Sequence, residues 1–316
     1  MHIGLIKSKK ILILCTKRAG TTWLIDKLKL LDKNILLEHT SRRSCCNLHL
    51  IGEKSRKEGG SCRYLKIMDS LQNIPIEDLK TYKIYVIIRN PYERLLSNYL
   101  QAIGRGDWAN LSFENMINDY YSSYVIKKND KNIEKYFNTG PRACKLYWYD
   151  HYFPLTDTKS YYYFNDEQTK KWNNSKFQNF LKFINSIIDN GEGIHEIIES
   201  KNLFKSKLLN DLNIPNITNL SPFQILKKND AVIPKNIYSY TGKQLVNLCK
   251  RYNCIKGSDC IDTGAGVINW NNHEKFFFSN DQVNNFYNQD LLKKTSEIFK
   301  KDLIFFKKHG FDFNGI

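Results

Sequence analysis

The spacing of apolar residues changes along this chain, and the changes mark out its elements. Residues 9–16, Lys-Lys-Ile-Leu-Ile-Leu-Cys-Thr, hold a continuous apolar run with the length of a buried strand. Gly20, Thr21 and Thr22 interrupt it, after which Trp23, Leu24, Leu28 and Leu31 recur at helical spacing. The first stretch is therefore strand, turn, helix. Ile35–Leu37 predicts a second short strand and Tyr64–Met68 a third, while residues 40–62, rich in Ser, Arg, Gly and Cys, have no period and predict a loop. Tyr82–Ile88 is the clearest strand, β-branched and aromatic, and continuously apolar at its end as a buried parallel strand is. Arg89-Asn90-Pro91 closes it. Pro91 suits the first turn of a helix whose apolar face is Leu95, Leu96, Tyr99, Leu100 and Ile103.

Strands alternating with helices over residues 9–104 predict an α/β fold with a central parallel sheet flanked by helices. Residues 105–316 predict a mainly helical half, with helices over Phe113–Tyr124, Lys176–Ile188, Lys243–Tyr252 and Asp290–His309. No strong linker and no internal repeat divides the chain, so a single domain over 1–316 is expected.

Composition narrows the classes. Of 316 residues, 41% are hydrophobic and 25% charged, which excludes a wholly disordered chain, a collagen-like repeat and a small disulfide scaffold. The longest apolar runs, Ile11–Leu14, Tyr85–Ile88 and Leu303–Phe306, fall far short of the roughly 18 residues that span a bilayer. Met1–Lys10 is too short and polar for a signal-peptide core. No transmembrane segment and a cytoplasmic location are therefore expected, with the eight cysteines as thiols. Cys249, Cys254 and Cys260 are close enough for a local disulfide, but no Cys/His spacing points to a metal. The net charge of +16 attracts polyanions, although solvated lysines in a Lys- and Asn-rich chain account for it equally well.

Two segments carry chemistry. In Cys15-Thr16-Lys17-Arg18-Ala19-Gly20-Thr21-Thr22-Trp23-Leu24, a strand-to-helix turn aims backbone N–H groups and a helix dipole at one point, which makes an anion site. Gly20 lets the backbone approach a ligand, Lys17 and Arg18 add charge, and Thr21 and Thr22 add hydroxyl donors. An ordinary basic turn with a Thr-capped helix would carry the same residues. The Walker A pattern is absent. The second segment, Arg89-Asn90-Pro91-Tyr92-Glu93-Arg94-Leu95-Leu96-Ser97-Asn98-Tyr99, begins where a buried parallel strand ends, which is where open α/β sheets bind ligands. Arg89 supplies a phosphate-binding fork, and Ser97, two turns on, could face the same crevice. Alternatively, Arg89 and Arg94 pair with Glu93 or a helix end.

Together the segments read [KR]-x-G-T-T-x-L after one strand and R-x-P-x-x-R-x-x-S-x-Y after a later one. This pair resembles the sulfotransferase superfamily, whose members use 3′-phosphoadenosine 5′-phosphosulfate (PAPS). The tail, ending His309-Gly310-Phe311-Asp312-Phe313, looks like the closing helix of Golgi-type carbohydrate sulfotransferases. The resemblance covers residues 9–104 well and the last thirty or so loosely. It implies a P-loop-NTPase-like three-layer fold, with a cofactor-binding core over 9–104 and acceptor-side and closing elements over 105–316. It also implies that Lys17, Arg18, Ala19, Gly20, Thr21, Thr22 and Trp23 cradle the 5′-phosphosulfate, and that Arg89 and Ser97 bind the 3′-phosphate. Arg18 stands where many members carry a lysine two residues before the glycine, and Lys17 is either a second cation or points away.

The activity implied is transfer of a sulfuryl group from PAPS to an acceptor hydroxyl, without a metal. Arg18 then stabilises the charge growing on the leaving 5′-phosphate. In several branches the general base follows the first helix, near the end of the second strand. That place holds Glu38 and His39 here. His39 is preferred because an imidazole titrates near neutrality, and Glu38 stands second. His49, His151 and His195 are weaker candidates. The basic surface and the aromatic run 147–153 suit a carbohydrate acceptor; a peptide tyrosine or a small alcohol is the alternative. A kinase on a related fold lacks its Lys-Ser/Thr pair here. A basic nucleic-acid-binding protein is the non-enzyme alternative, with no basic helix or aromatic sheet motif to support it, so no nucleic acid is expected.

Overall fold

A computed structural model describes residues 2–15, 19, 36–38, 74–104, 110–126, 175–214, 235–251, 266–269, 274–277 and 283–315. In chain order the strands and helices begin with β1 (His2–Ile6), β2 (Ile11–Cys15), β3 (Leu36–Glu38), α1 (Ile76–Leu79) and β4 (Lys83–Ile88). Next come α2 (Pro91–Gly104), α3 (Phe113–Tyr121), α4 (Ser175–Asn190), β5 (Ile194–Glu199) and α5 (Lys207–Asp211). The last are α6 (Gly242–Arg251), β6 (Gly266–Asn269), β7 (Glu274–Phe277), α7 (Gln289–Ile298) and α8 (Lys300–Lys308). Among the described residues, no helix is long and apolar enough to cross a membrane. The chain forms two compact units, Met1–Ile88 with Leu146–Ile217 and Arg89–Lys145 with Thr218–Ile316.

The first unit is α/β, built on a five-stranded sheet of order β3-β1-β2-β4-β5. β2, β4 and β5 are parallel neighbours, with Cys15 opposite Ile87 and Ile88 opposite Glu199. β1 runs antiparallel to both β2 and β3, so the sheet is mixed and not the all-parallel one expected. The cause is a tight hairpin. Lys7–Lys9 form one 3-10 turn, and Lys10, left-handed at φ 50°, donates its N–H to the Lys7 carbonyl at 3.1 Å. Among polar lysines, the apolar Ile3, Leu5 and Ile6 give too short a pattern to be read as a strand.

β2 is buried at every position, as a strand covered on both faces must be. On one face Ile11, Ile13, Cys15, Tyr85, Ile87 and Ile198 form a single core with Leu203, Leu208, Leu209 and Leu212. α4 buries Phe180, Phe183, Ile184, Ile187 and Ile188, the i, i+3, i+4, i+7, i+8 stripe of an amphipathic helix. Gly191 and Gly193, at φ 71° and 74°, then turn the chain into β5. Thus a strand arises inside the half expected to be mainly helical, and the β6–β7 hairpin is a second such departure. The expected strand Tyr64–Met68 lies outside the described residues.

A polar cluster ties the amino end of this sheet. Lys83 Nζ lies 2.7 Å from Asp211 Oδ2, the Tyr85 hydroxyl donates to the same oxygen, and Lys9 Nζ donates to the Asp211 carbonyl at 2.8 Å. The Lys83 contact, then the Tyr85 one, holds the Asp211 carboxyl below the ordinary carboxylate range. A depressed folded-state pKa adds stability that is present above about pH 3.9 and is lost as pH falls through the folded value. Asp211→Asn should therefore cost about 1 kcal/mol at pH 7, since Lys83 is half exposed and screened by water. Thermal melts should show the wild-type advantage shrinking from pH 7 to pH 3; an advantage that persists at pH 3 would remove the carboxylate from this role.

In the second unit, α2 packs with α6, α7 and β6, and α3 packs with α7. Its caps are local. Ser112 Oγ accepts from Asn115 N at 3.1 Å, and Asn288 Oδ1 from Leu291 N at 2.8 Å. Thr241 and Gln244 form a reciprocal capping box. The helix expected over Asp290–His309 is two helices broken at Phe299, whose backbone leaves the helical region at φ −100°, ψ 18°. The Phe299 ring lies under the Arg94 guanidinium, 5.0 Å from its centroid.

Candidate functional site

The parallel strands β2 and β4 lie side by side in the first unit, so the chain leaves both at the same end of the sheet. After β2 it runs into the Lys17–Trp23 segment, and after β4 Arg89 is the very next residue. This is the carboxyl edge at which open α/β sheets bind ligands.

Of the first segment, Ala19 is described. It is fully buried and belongs to the core below the sheet, so any ligand contact it makes runs through its backbone. Lys17, Arg18, Gly20, Thr21, Thr22 and Trp23 lie outside the described residues. So do His39, His49, His151 and the aromatic run 147–153.

The second segment is described in full. Arg89 is 6% exposed, and its Nε donates to Glu93 Oε2 at 3.3 Å, the i, i+4 pairing expected as its alternative role. A guanidinium this deeply buried is a strong anion donor, because its charge is poorly screened. Asn90 caps α2, its Oδ1 accepting from Tyr92 N at 3.0 Å. Pro91 is the first helical residue, as expected. Ser97 is 0% exposed, two turns along α2. Arg94, at 2%, packs on Phe299 instead of ending at a surface. The Tyr99 hydroxyl donates to the Leu111 carbonyl at 2.8 Å, and burial pushes its pKa up, so it stays a neutral donor. Arg94, Ser97 and Tyr99 of this motif are therefore interior groups of one helix.

Of the two base candidates, Glu38 is described. Glu38 is the last residue of β3, level with Ile3 and, through it, with Leu14. Because β1 intervenes, β3 lies two strand spacings from β2, about 9–10 Å. His39 follows it. His195 sits near the start of β5, edge-on to the Tyr85 ring at 5.2 Å, at the end of the sheet away from the candidate site.

Sequence reasoning missed two groups. Glu199 ends β5 opposite Ile88, is 9% exposed, and takes Lys201 Nζ at 2.7 Å. The apolar residues of Ile194–Glu199, Ile194, Ile197 and Ile198, fall at helical spacing, so no strand signal was available. Asn90 was passed over as a spacer between Arg89 and Pro91. Among the described residues no group of three or more His, Cys, Asp or Glu is placed to hold a metal ion. Cys15 is a buried thiol. Cys254 and Cys260 lie outside the described residues.

Comparison with protein-family models, curated proteins and solved structures found no match for this chain.

Proposed function

We propose that this chain is a sulfotransferase, with a P-loop-NTPase-like core, that moves a sulfuryl group from PAPS to an acceptor hydroxyl of a carbohydrate. The observation that carries the reading is the parallel pairing of β2 and β4, with a buried Arg89 as the first residue after β4. Both motif-bearing segments therefore start from one edge of one sheet. The donor set also fits the ligand. A 3′-phosphate is dianionic and would compete with the Glu93 carboxylate for the Arg89 guanidinium.

PAPS, when bound, supplies the sulfuryl group: a bond forms from the acceptor oxygen to sulfur as the bond from sulfur to the 5′-phosphate oxygen breaks. Arg18, Lys17 and the amides of Gly20, Thr21 and Thr22 draw the negative charge that grows on that phosphate. A helix from Thr22 onward, as the apolar spacing predicts, would add its dipole to this pull. Arg89 and Ser97 hold the 3′-phosphate and so fix the nucleotide along its length. His39, or Glu38 in its place, takes the acceptor proton. The basic surface favours an acidic glycan, because +16 concentrates polyanions near the protein.

Calorimetric titration with 3′-phosphoadenosine 5′-phosphate, against ATP and ADP, tests the reading. The expected result is tight binding of the 3′-phosphorylated nucleotide and weak binding of the other two. No preference for the 3′-phosphate would sink it, and tight ATP binding would favour a kinase. His39→Ala should keep nucleotide affinity and lower turnover by about 100-fold or more. Unchanged turnover would move the base to Glu38.

A further inference from the structure

The C-terminal segment is fastened to the turn that carries Arg89. Gly310, at φ 86°, ends α8, and Phe311 N donates back to the Phe306 carbonyl at 2.9 Å. The Phe313 ring then packs edge-on against Phe306 at 5.6 Å and stacks with Phe311 at 6.3 Å. These ring contacts fold the segment onto α8, and its end reaches Asn90. Asn90 Nδ2 donates to the Gly315 carbonyl at 2.9 Å, across 225 residues of sequence. The other end of the same amide caps Tyr92 N. The Tyr287 hydroxyl donates to the Tyr92 carbonyl at 2.9 Å, a second tie on the same turn.

We propose that Phe311–Gly315 is a positioning element that acts through Asn90 to set how Arg89 is presented to an anionic ligand. An Asn90 side chain satisfied at both ends has one orientation. That orientation fixes the backbone between the strand and the helix, where Arg89 sits. Without the Gly315 carbonyl, the Asn90 amide loses half of its anchoring, and the turn gains conformations in which the guanidinium is misaimed. The 3′-phosphate as ligand rests on the sulfotransferase reading, but the mechanical link between the tail and the turn does not.

The test pairs Asn90→Ser with a chain ending at Gly310. Serine keeps a capping oxygen and removes the donor to Gly315. Each single variant should lose about ten-fold in the affinity ratio of 3′-phosphoadenosine 5′-phosphate over adenosine 5′-monophosphate, the weight of one part-buried hydrogen bond. The double variant should lose no more than either single one, because both remove the same link. Amide exchange at Tyr92 and Arg94 should quicken in all three. Unchanged exchange in folded variants, or ratio losses that add in the double variant, would overturn the link. If the wild type itself shows no 3′-phosphate preference, the sulfotransferase reading fails, and the exchange rates alone decide the role of the tail.

Discussion

Arg89→Ala should weaken binding of 3′-phosphoadenosine 5′-phosphate by about 30- to 1,000-fold, while adenosine 5′-monophosphate loses far less. The magnitude follows from the position of the side chain. Arg89 is 6% exposed, so on the sulfotransferase reading a phosphate it holds is bound by a charge-assisted and weakly screened contact. Truncating such a buried charged donor costs roughly 2–4 kcal/mol of binding. Arg89→Lys keeps the charge and loses the planar fork, so it should fall between wild type and alanine. Glu93, the present partner of Arg89, is partly open to water, and its carboxylate stays hydrated when the arginine is removed. Calorimetry on the three proteins, with thermal melts as control, measures this. Wild-type affinity in Arg89→Ala would reduce the residue to a partner for Glu93.

Phe113→Ala should cost about 3–5 kcal/mol of stability, a large part of the 5–15 kcal/mol that holds a typical domain together. Phe113 is fully buried at the start of α3, with its ring 5.0 Å from Tyr287, 5.2 Å from Tyr99 and 6.1 Å from Phe286. One side chain thus joins α2, α3 and the segment before α7. Deleting it leaves a cavity among three rings, two of which are pinned by hydrogen bonds. Tyr99 is bonded to the Leu111 carbonyl and Tyr287 to that of Tyr92, so neither can close the gap cheaply. Phe113→Leu refills most of the volume and should cost about 1–2 kcal/mol. Because Tyr287 also holds the first turn of α2, Phe113→Ala should weaken nucleotide binding in the molecules that remain folded. Denaturant melts of the three proteins rank these costs; equal melts for alanine and wild type would show that the rings repack.

The local elements were legible where one pattern dominated. Ile11–Cys15 and Lys83–Ile88 are β-branched or leucine-rich runs with no polar interruption, and both are strands within a residue or two of expectation. Pro91 announced the start of α2, and a clean amphipathic stripe announced α4. β1 and β5 were not legible. Each is short and carries polar residues, and each is a strand because a neighbour supplies the ladder it hydrogen-bonds to: β2 for β1, and β4 for β5. Phe299 likewise divides a continuous helical pattern at the point where Arg94 packs on its ring.

The candidate site divides in the same way. Residue type and order along the chain offer Arg89, Ser97 and the Lys17–Trp23 segment as anion-binding candidates, and the resemblance to sulfotransferases is what joins them into one site. Their depth is not written in that order. Burial of Arg89, Arg94 and Ser97, the Glu93 pairing, and the reach of Gly315 to Asn90 all depend on contacts between residues far apart in the chain. Local propensity acts over a few residues and is carried by each of them separately. Burial and long-range hydrogen bonds come into being only when the chain packs, and so the folded molecule alone says which charged groups are sheltered from water.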